Sequence, residues 1–157
     1  MATLKEGDRA PEFKLPASTG GEISLSDFAG KKAVVLYFYP KDMTPGCTQE
    51  ACSFRDLASE FEKAGAAILG VSADDLASHG KFADKHELNF PLLSDLDGKV
   101  AQQYGVWKEK NMYGKKKMGV VRTTFLIDRK SVVRQIWPKV KVDQHADAVL
   151  EAVRGIA

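Results

Sequence analysis

Seven consecutive residues, Ala33 to Tyr39 (AVVLYFY), carry no charge and are rich in β-branched and aromatic side chains. A run of this kind reads as a central strand buried on both faces, and such a strand needs cover from other elements above and below it. The chain then passes Pro40, Pro45 and Gly46 and enters a segment where Cys47, Ala51, Phe54, Ala58 and Phe61 recur every three or four residues. That spacing predicts the inward face of a helix ending near Gly65. Strand, loop and helix start therefore follow one another, and both cysteines of the chain, Cys47 and Cys52, fall on the helix.

The rest of the pattern extends this unit into an α/β domain. Phe13-Lys14-Leu15 and Glu22 to Leu25 alternate around Ser18-Thr19-Gly20-Gly21 and predict a small N-terminal hairpin. Ala67 to Ser72 suits a second, parallel strand, Asp75 to Lys85 a helix, and Lys99 to Tyr104 a shorter helix after the turn Asp95-Leu96-Asp97-Gly98. Trp107 to Gly119 is polar, basic and glycine-punctuated, which predicts a loop. Val120 to Ile127 and Val132 to Trp137 flank Asp128-Arg129-Lys130-Ser131 as a hairpin. Asp143 to Val153 is amphipathic, with Asp143 a candidate cap. Right-handed crossovers turn this order into a central mixed sheet with helices on both faces.

With 157 residues, residues 1–157 are expected to form one domain. No apolar run is long enough to cross a bilayer, and Met1 to Gly20 lacks the apolar stretch of a signal peptide, so a cytoplasmic home is expected. A net charge of +2 gives no reason to expect a nucleic acid or membrane partner. His79, His86 and His145 are scattered without metal-ligand spacing, two cysteines alone do not make a zinc site, and no cofactor is expected.

The loop-to-helix junction favours a reactive thiol. With Thr44 as N-cap and Pro45 at the first helical position, Cys47 falls in the first turn, near unpaired amides and the positive end of the helix dipole. A free cysteine titrates near roughly 8.5, and a helix N-terminus is a usual way to favour its thiolate. Cys47 is therefore expected to be nucleophilic at cellular pH, although most cysteines elsewhere are simply small buried hydrophobes.

Five residues along an intact helix separate two Cα atoms by roughly 8 to 9 Å and place them on opposite sides of the cylinder. A disulfide tolerates about 7 Å at most. If Cys47 and Cys52 react with each other, the first turns must unwind, most easily near Gly46 and through Thr48-Gln49-Glu50. The expectation is a helix folded when reduced and partly melted when oxidised.

Pro40, Thr44 and Cys47 stand in the spacing Pro-x-x-x-Thr-x-x-Cys, and through it the chain resembles the peroxiredoxins. Cys52, five residues downstream, looks like the resolving cysteine of the bacterioferritin comigratory protein or Q-type subgroup. The similarity runs from Gly7-Asp8-Arg9-Ala10-Pro11-Glu12-Phe13 to the strand Val121 to Asp128. The resemblance implies a thioredoxin-like fold, a thiol peroxidase acting on hydrogen peroxide and organic hydroperoxides, regeneration by thioredoxin, and a monomer.

The residues fit that chemistry. A thiolate attacking a peroxide needs stabilised negative charge first on sulfur and then on the leaving oxygen. Thr44 offers a hydroxyl, the helix start offers N–H donors, and Pro40 would shape the loop and shield the sulfur. Arg122 stands in an apolar strand and needs a partner. On the residues alone that partner is Cys47 or a carboxylate such as Glu50, and the resemblance favours Cys47. Glu50 could tune the site, or be a solvated helix carboxylate. The sulfenic acid formed on Cys47 would be resolved by Cys52 or by another molecule. The basic stretch Lys108, Lys110, Lys115, Lys116 and Lys117 reads as solvated surface or as a dock for an acidic partner. Two other classes stay open: a general thiol-disulfide oxidoreductase, although no Cys-x-x-Cys is present, and a non-enzymatic redox sensor or chaperone.

Overall fold

The computed structural model describes residues 4–112 and 114–156. Its centre is a five-stranded mixed sheet built from β3 (Ala33–Phe38), β4 (Ala66–Ser72), β5 (Leu92–Ser94), β8 (Thr123–Ile127) and β9 (Val133–Trp137), in the order β5-β4-β3-β8-β9. β3 and β4 run parallel, as do β4 and β5, whereas β8 lies antiparallel to β3 and to β9. The apolar run predicted as the central strand is central, and all six residues of β3 are buried.

Alternation along β3 divides the core in two. Val34, Leu36 and Phe38 point to one face, where Phe13, Leu15, Tyr104 and Phe125 pack. Val35, Tyr37 and Tyr39 point to the other and meet Cys47, Phe54, Phe61, Phe82 and Val149. That second face is covered by α1 (Pro45–Lys63), α2 (Leu76–Lys85) and α4 (His145–Ile156). The first is covered by the N-terminal strands β1 (Lys14–Pro16) and β2 (Glu22–Ser24), which form the predicted hairpin, and by the short α3 (Lys99–Gln103). Gly70 in β4 makes room for the aromatic layer, because a Cβ there would lie 2.8 Å from the Tyr37 ring. This is the thioredoxin-like architecture that the resemblance implies.

Three expectations are corrected. Trp107 to Gly119 is not a loop: β6 (Trp107–Met112) and β7 (Lys115–Val120) pair as an antiparallel ribbon. Polar and charged residues dominate both strands, so their alternation is hidden. The predicted strand Val120 to Ile127 is consequently two, with Val120 ending β7 and β8 starting at Thr123, so Arg122 lies in the break. The final helix starts at His145, and Gln144, at φ 58°, accepts its first bond from the Ala148 amide, leaving Asp143 outside the cap position.

Candidate active site

The register of the sheet builds the site. Tyr37 pairs with Thr124 and Phe38 with Thr123, so the end of β3 and the start of β8 lie side by side. The chain leaving β3 turns through residues 39–44 into α1, and the residue just before β8 is Arg122. The loop, the first turn of α1 and the guanidinium are thereby brought to one edge of the sheet.

Pro45 occupies the start of α1 and Thr44 precedes it in extended conformation, as expected. The expected cap bond is absent: the Thr44 hydroxyl donates to the Lys41 carbonyl at 2.9 Å and makes no side-chain cap bond. It braces the loop instead of the helix end, while its oxygen keeps lone pairs free to accept. The first-turn amides of Gly46 and Cys47 have no carbonyl within the helix to donate to.

Cys47 is 1% exposed, and Nη2 of Arg122 donates to its sulfur at 3.2 Å. Nη1 of the same guanidinium lies 2.6 Å from Oε1 of Glu50. The two partners left open for Arg122 are both present. Glu50 is not solvated; it is 1% exposed, one turn beyond Cys47 on the inward face. Burial pushes its carboxyl up, to about 7, against the pull of Arg122, and its Oε2 has no hydrogen-bond partner. Burial opposes the charge on Arg122, but Glu50 and then Cys47 more than offset this, so the guanidinium holds its proton more tightly than usual. Arg122 keeps 16% side-chain exposure, whereas both of its partners are almost fully buried.

Pro40 is exposed at the start of the loop. Cys52 is half-buried, and both cysteines are free on an unbroken helix, so the geometry that forbids their disulfide applies here. The arrangement can hold a sulfur anion beside a fixed cation and helix amides, and keep a second thiol nearby but out of reach.

Residues 6–136 match the AhpC/TSA family. The chain belongs to that family, as a peroxiredoxin of the Q type. It is 53% identical over 148 residues to a putative peroxiredoxin Bcp of Coxiella burnetii, covering 94% of this chain and 97% of that one. Peroxiredoxin Bcp of Bacillus subtilis is 46% identical over 155 residues, covering 99% and 98%. Among solved structures, bacterioferritin comigratory protein of Xanthomonas campestris, in work on its alkyl peroxide reduction activity, superposes with a TM-score of 0.87 at 48% identity over 92% of this chain and 91% of that one. A cysteine-to-serine mutant of Xylella fastidiosa PrxQ gives 0.93 at 37% identity over 99% of both chains. The thioredoxin-like fold of this peroxiredoxin is the one shared by these structures.

Sequence reasoning missed one buried polar cluster beside the loop. Asp42, Asp74 and His79 approach one another closely enough for a metal ion to be conceivable. The carboxylate and ring atoms concerned are already joined to each other or to neighbouring hydroxyls and amides, which makes the cluster a hydrogen-bonded network. Its signal was Asp42 itself, a charged residue in a loop leaving a buried strand.

Proposed function

We propose that this peroxiredoxin reduces hydrogen peroxide and organic hydroperoxides through Cys47, with Cys52 as resolving thiol and thioredoxin or a similar dithiol as reductant. The observation that carries the reading is the 3.2 Å bond from Arg122 to the Cys47 sulfur at the first turn of α1. A charge-assisted donor of this kind stabilises the thiolate, and the same guanidinium can then stabilise charge on the departing oxygen.

The Cys47 thiolate attacks one peroxide oxygen. The O–O bond breaks, the S–O bond forms, and the other oxygen leaves as hydroxide or alkoxide and takes a proton to give water or an alcohol. The Thr44 hydroxyl, which donates to Lys41, has lone pairs to accept the peroxide hydrogen and orient it. Pro40 shapes the mouth of the loop. Cys47 is left as a sulfenic acid. After the first turns of α1 open, the Cys52 sulfur displaces that oxygen as water and the disulfide forms. A dithiol then returns two electrons and two protons by exchange, and α1 refolds. Both thiols lie on one helix, so one chain suffices and a monomer is the expected unit. Dependence on a dithiol reductant fits the cytoplasm.

A coupled assay with peroxide, thioredoxin, its reductase and NADPH tests the reading. Turnover that Cys47→Ser abolishes is expected. Insulin disulfide reduction without peroxide turnover, or stoichiometric oxidation without turnover, would replace the reading with an oxidoreductase or a sensor.

A further inference from the structure

The loop that delivers Cys47 is fastened from beneath at one residue. The Asp42 side chain is buried while its neighbours Lys41 and Met43 are exposed. Its Oδ1 accepts from the Tyr39 hydroxyl at 2.6 Å. Its Oδ2 accepts from the Ser78 hydroxyl at 2.8 Å and lies 2.7 Å from Nδ1 of the fully buried His79. The other ring nitrogen of His79 lies 3.0 Å from the Leu93 carbonyl of β5. Even the Asp42 amide is used, donating to Asp74 Oδ2 at 2.8 Å, and that oxygen also takes the Ser72 hydroxyl at 2.7 Å.

These bonds tie the loop to three elements that have no part in the chemistry: the end of β4, the first turns of α2, and β5. A buried carboxylate with every contact satisfied is stable where it lies and costly to withdraw. Immediately after it the character of the chain changes. Met43 is exposed and holds a positive φ of 66°, a conformation that a non-glycine side chain keeps only when its surroundings impose it. Beyond it come Thr44, half-buried Gly46, and the helix turns that must open for Cys47 to meet Cys52.

We propose that Asp42 is a positioning residue for the peroxidase reaction: through Tyr39, Ser78 and His79 it latches the active-site loop, holding α1 in its folded, peroxide-reactive form and marking where unwinding stops on the N-terminal side. A matching stop stands on the other side. Phe54 is fully buried, and Arg55 donates to the His86 carbonyl at the end of α2 at 2.7 Å. The segment between these two anchors is residues 43–53, which contains both thiols, and within it Cys47 and Glu50 are held to Arg122 until it opens. Loosening the latch favours the open form, and the two half-reactions then respond in opposite directions. Attack on peroxide needs the folded site and slows; disulfide formation needs the open segment and quickens.

The inference rests on the peroxidase reading, and the test separates the two. Tyr39→Phe removes one hydroxyl from the network without changing its packing, and Asp42→Asn removes the charge; rapid-quench mass spectrometry times sulfenic acid and disulfide formation in each, and amide hydrogen exchange is measured on the reduced proteins. Loss of a hydrogen bond to a charged group predicts roughly tenfold slower peroxide attack in Asp42→Asn, a severalfold faster disulfide step, and roughly tenfold weaker protection confined to residues 43–53, with smaller shifts of the same sign in Tyr39→Phe. Unchanged rates and protection in both variants overturn the latch. So do two rates that fall together with protection lost throughout β3 and β4, which would make Asp42 merely structural. A wild-type protein that ignores peroxide removes the peroxidase reading, while the exchange pattern still decides whether Asp42 holds the loop.

Discussion

Nη2 of Arg122 lies 3.2 Å from the sulfur of Cys47, while the other arm of the same guanidinium is engaged by Glu50 at 2.6 Å. One cation therefore serves two acidic side chains, and removing it does two kinds of damage. The thiolate loses its donor, and Glu50, almost without solvent contact, is left as a buried carboxyl with no partner. The second loss costs on the order of 1 to 3 kcal/mol of stability, the penalty of a buried polar group that loses its hydrogen-bond partner and takes up a proton.

Arg122→Ala tested alone would confuse these effects, so the informative variant pairs it with Glu50→Gln. That protein is expected to regain most of the stability lost by Arg122→Ala, measured by urea unfolding. Its peroxide rate constant should stay about 10²- to 10³-fold below wild type, the usual cost of deleting a preorganised donor. Recovery of the rate along with stability would show that Arg122 is structural.

Between pH 6.5 and 4.5 the contributions of two buried groups to the pH dependence of stability should largely cancel. Burial raises Glu50 to about 7, so the folded state holds a proton that the unfolded chain has released. Its contribution is full below the unfolded value of 4.5 and is lost as pH rises through 7. Burial first, with Arg122 adding to it, lowers His145 to about 4; its contribution is full above the unfolded value of 6.5 and is lost as pH falls towards 4. Glu50→Gln should leave a protein whose stability falls between pH 6.5 and 4.5. His145→Gln, whose amide reaches the position of Nε2 opposite the Thr124 hydroxyl, should give stability that rises on the same acidification, by on the order of 2 kcal/mol. Parallel curves for both variants and wild type would contradict these assignments.

Gly46 links rate and unwinding. A Cβ there would lie 3.2 Å from Nη2 of Arg122, tight enough to push the guanidinium off the sulfur by a few tenths of an ångström. Alanine also steadies the helix by up to about 1 kcal/mol. Gly46→Ala should therefore slow peroxide attack and disulfide formation together, each by about fivefold, without loss of global stability. Rapid-quench kinetics that leave either step unchanged would contradict this geometry.

Oxidation should melt the start of α1. Amide exchange of residues 48 to 53 is expected to be protected in the reduced protein and at least about tenfold faster once Cys47 and Cys52 are joined, because the intact helix holds them on opposite sides. Equal protection in the two states would mean that the disulfide forms by some other route. Cys52→Ser should lose thioredoxin-linked turnover yet still consume one equivalent of peroxide, as read by the coupled assay and by mass spectrometry.

How much of this was legible depended on whether a residue's partner is near in sequence. The buried strand Ala33–Phe38, α1 and its inward Cys47 face are local patterns, and they appear where the periodicity puts them. β5 is three residues long, and the β6–β7 ribbon is lysine-rich, so neither carries an apolar alternation to read. Arg122 stood out as a cation among apolar residues, but its double pairing depends on register between β3 and β8. Glu50 could have been read as buried, since it follows Cys47 by three residues on the same helical face. The Asp42 network joins residues 37 positions apart, and no local rule places His79 beneath the loop.

The central claim is that Cys47, held beside Arg122, is the group that meets peroxide. The most direct measurement is a single turnover of the Cys52→Ser variant with one equivalent of hydrogen peroxide, quenched and mapped by mass spectrometry. Sulfenic acid at Cys47, formed at a rate orders of magnitude above that of a free thiol and slowed about 10²- to 10³-fold in Arg122→Ala/Glu50→Gln, is the predicted result. Oxidation no faster than a free thiol, or appearing at a residue other than Cys47, would contradict the account.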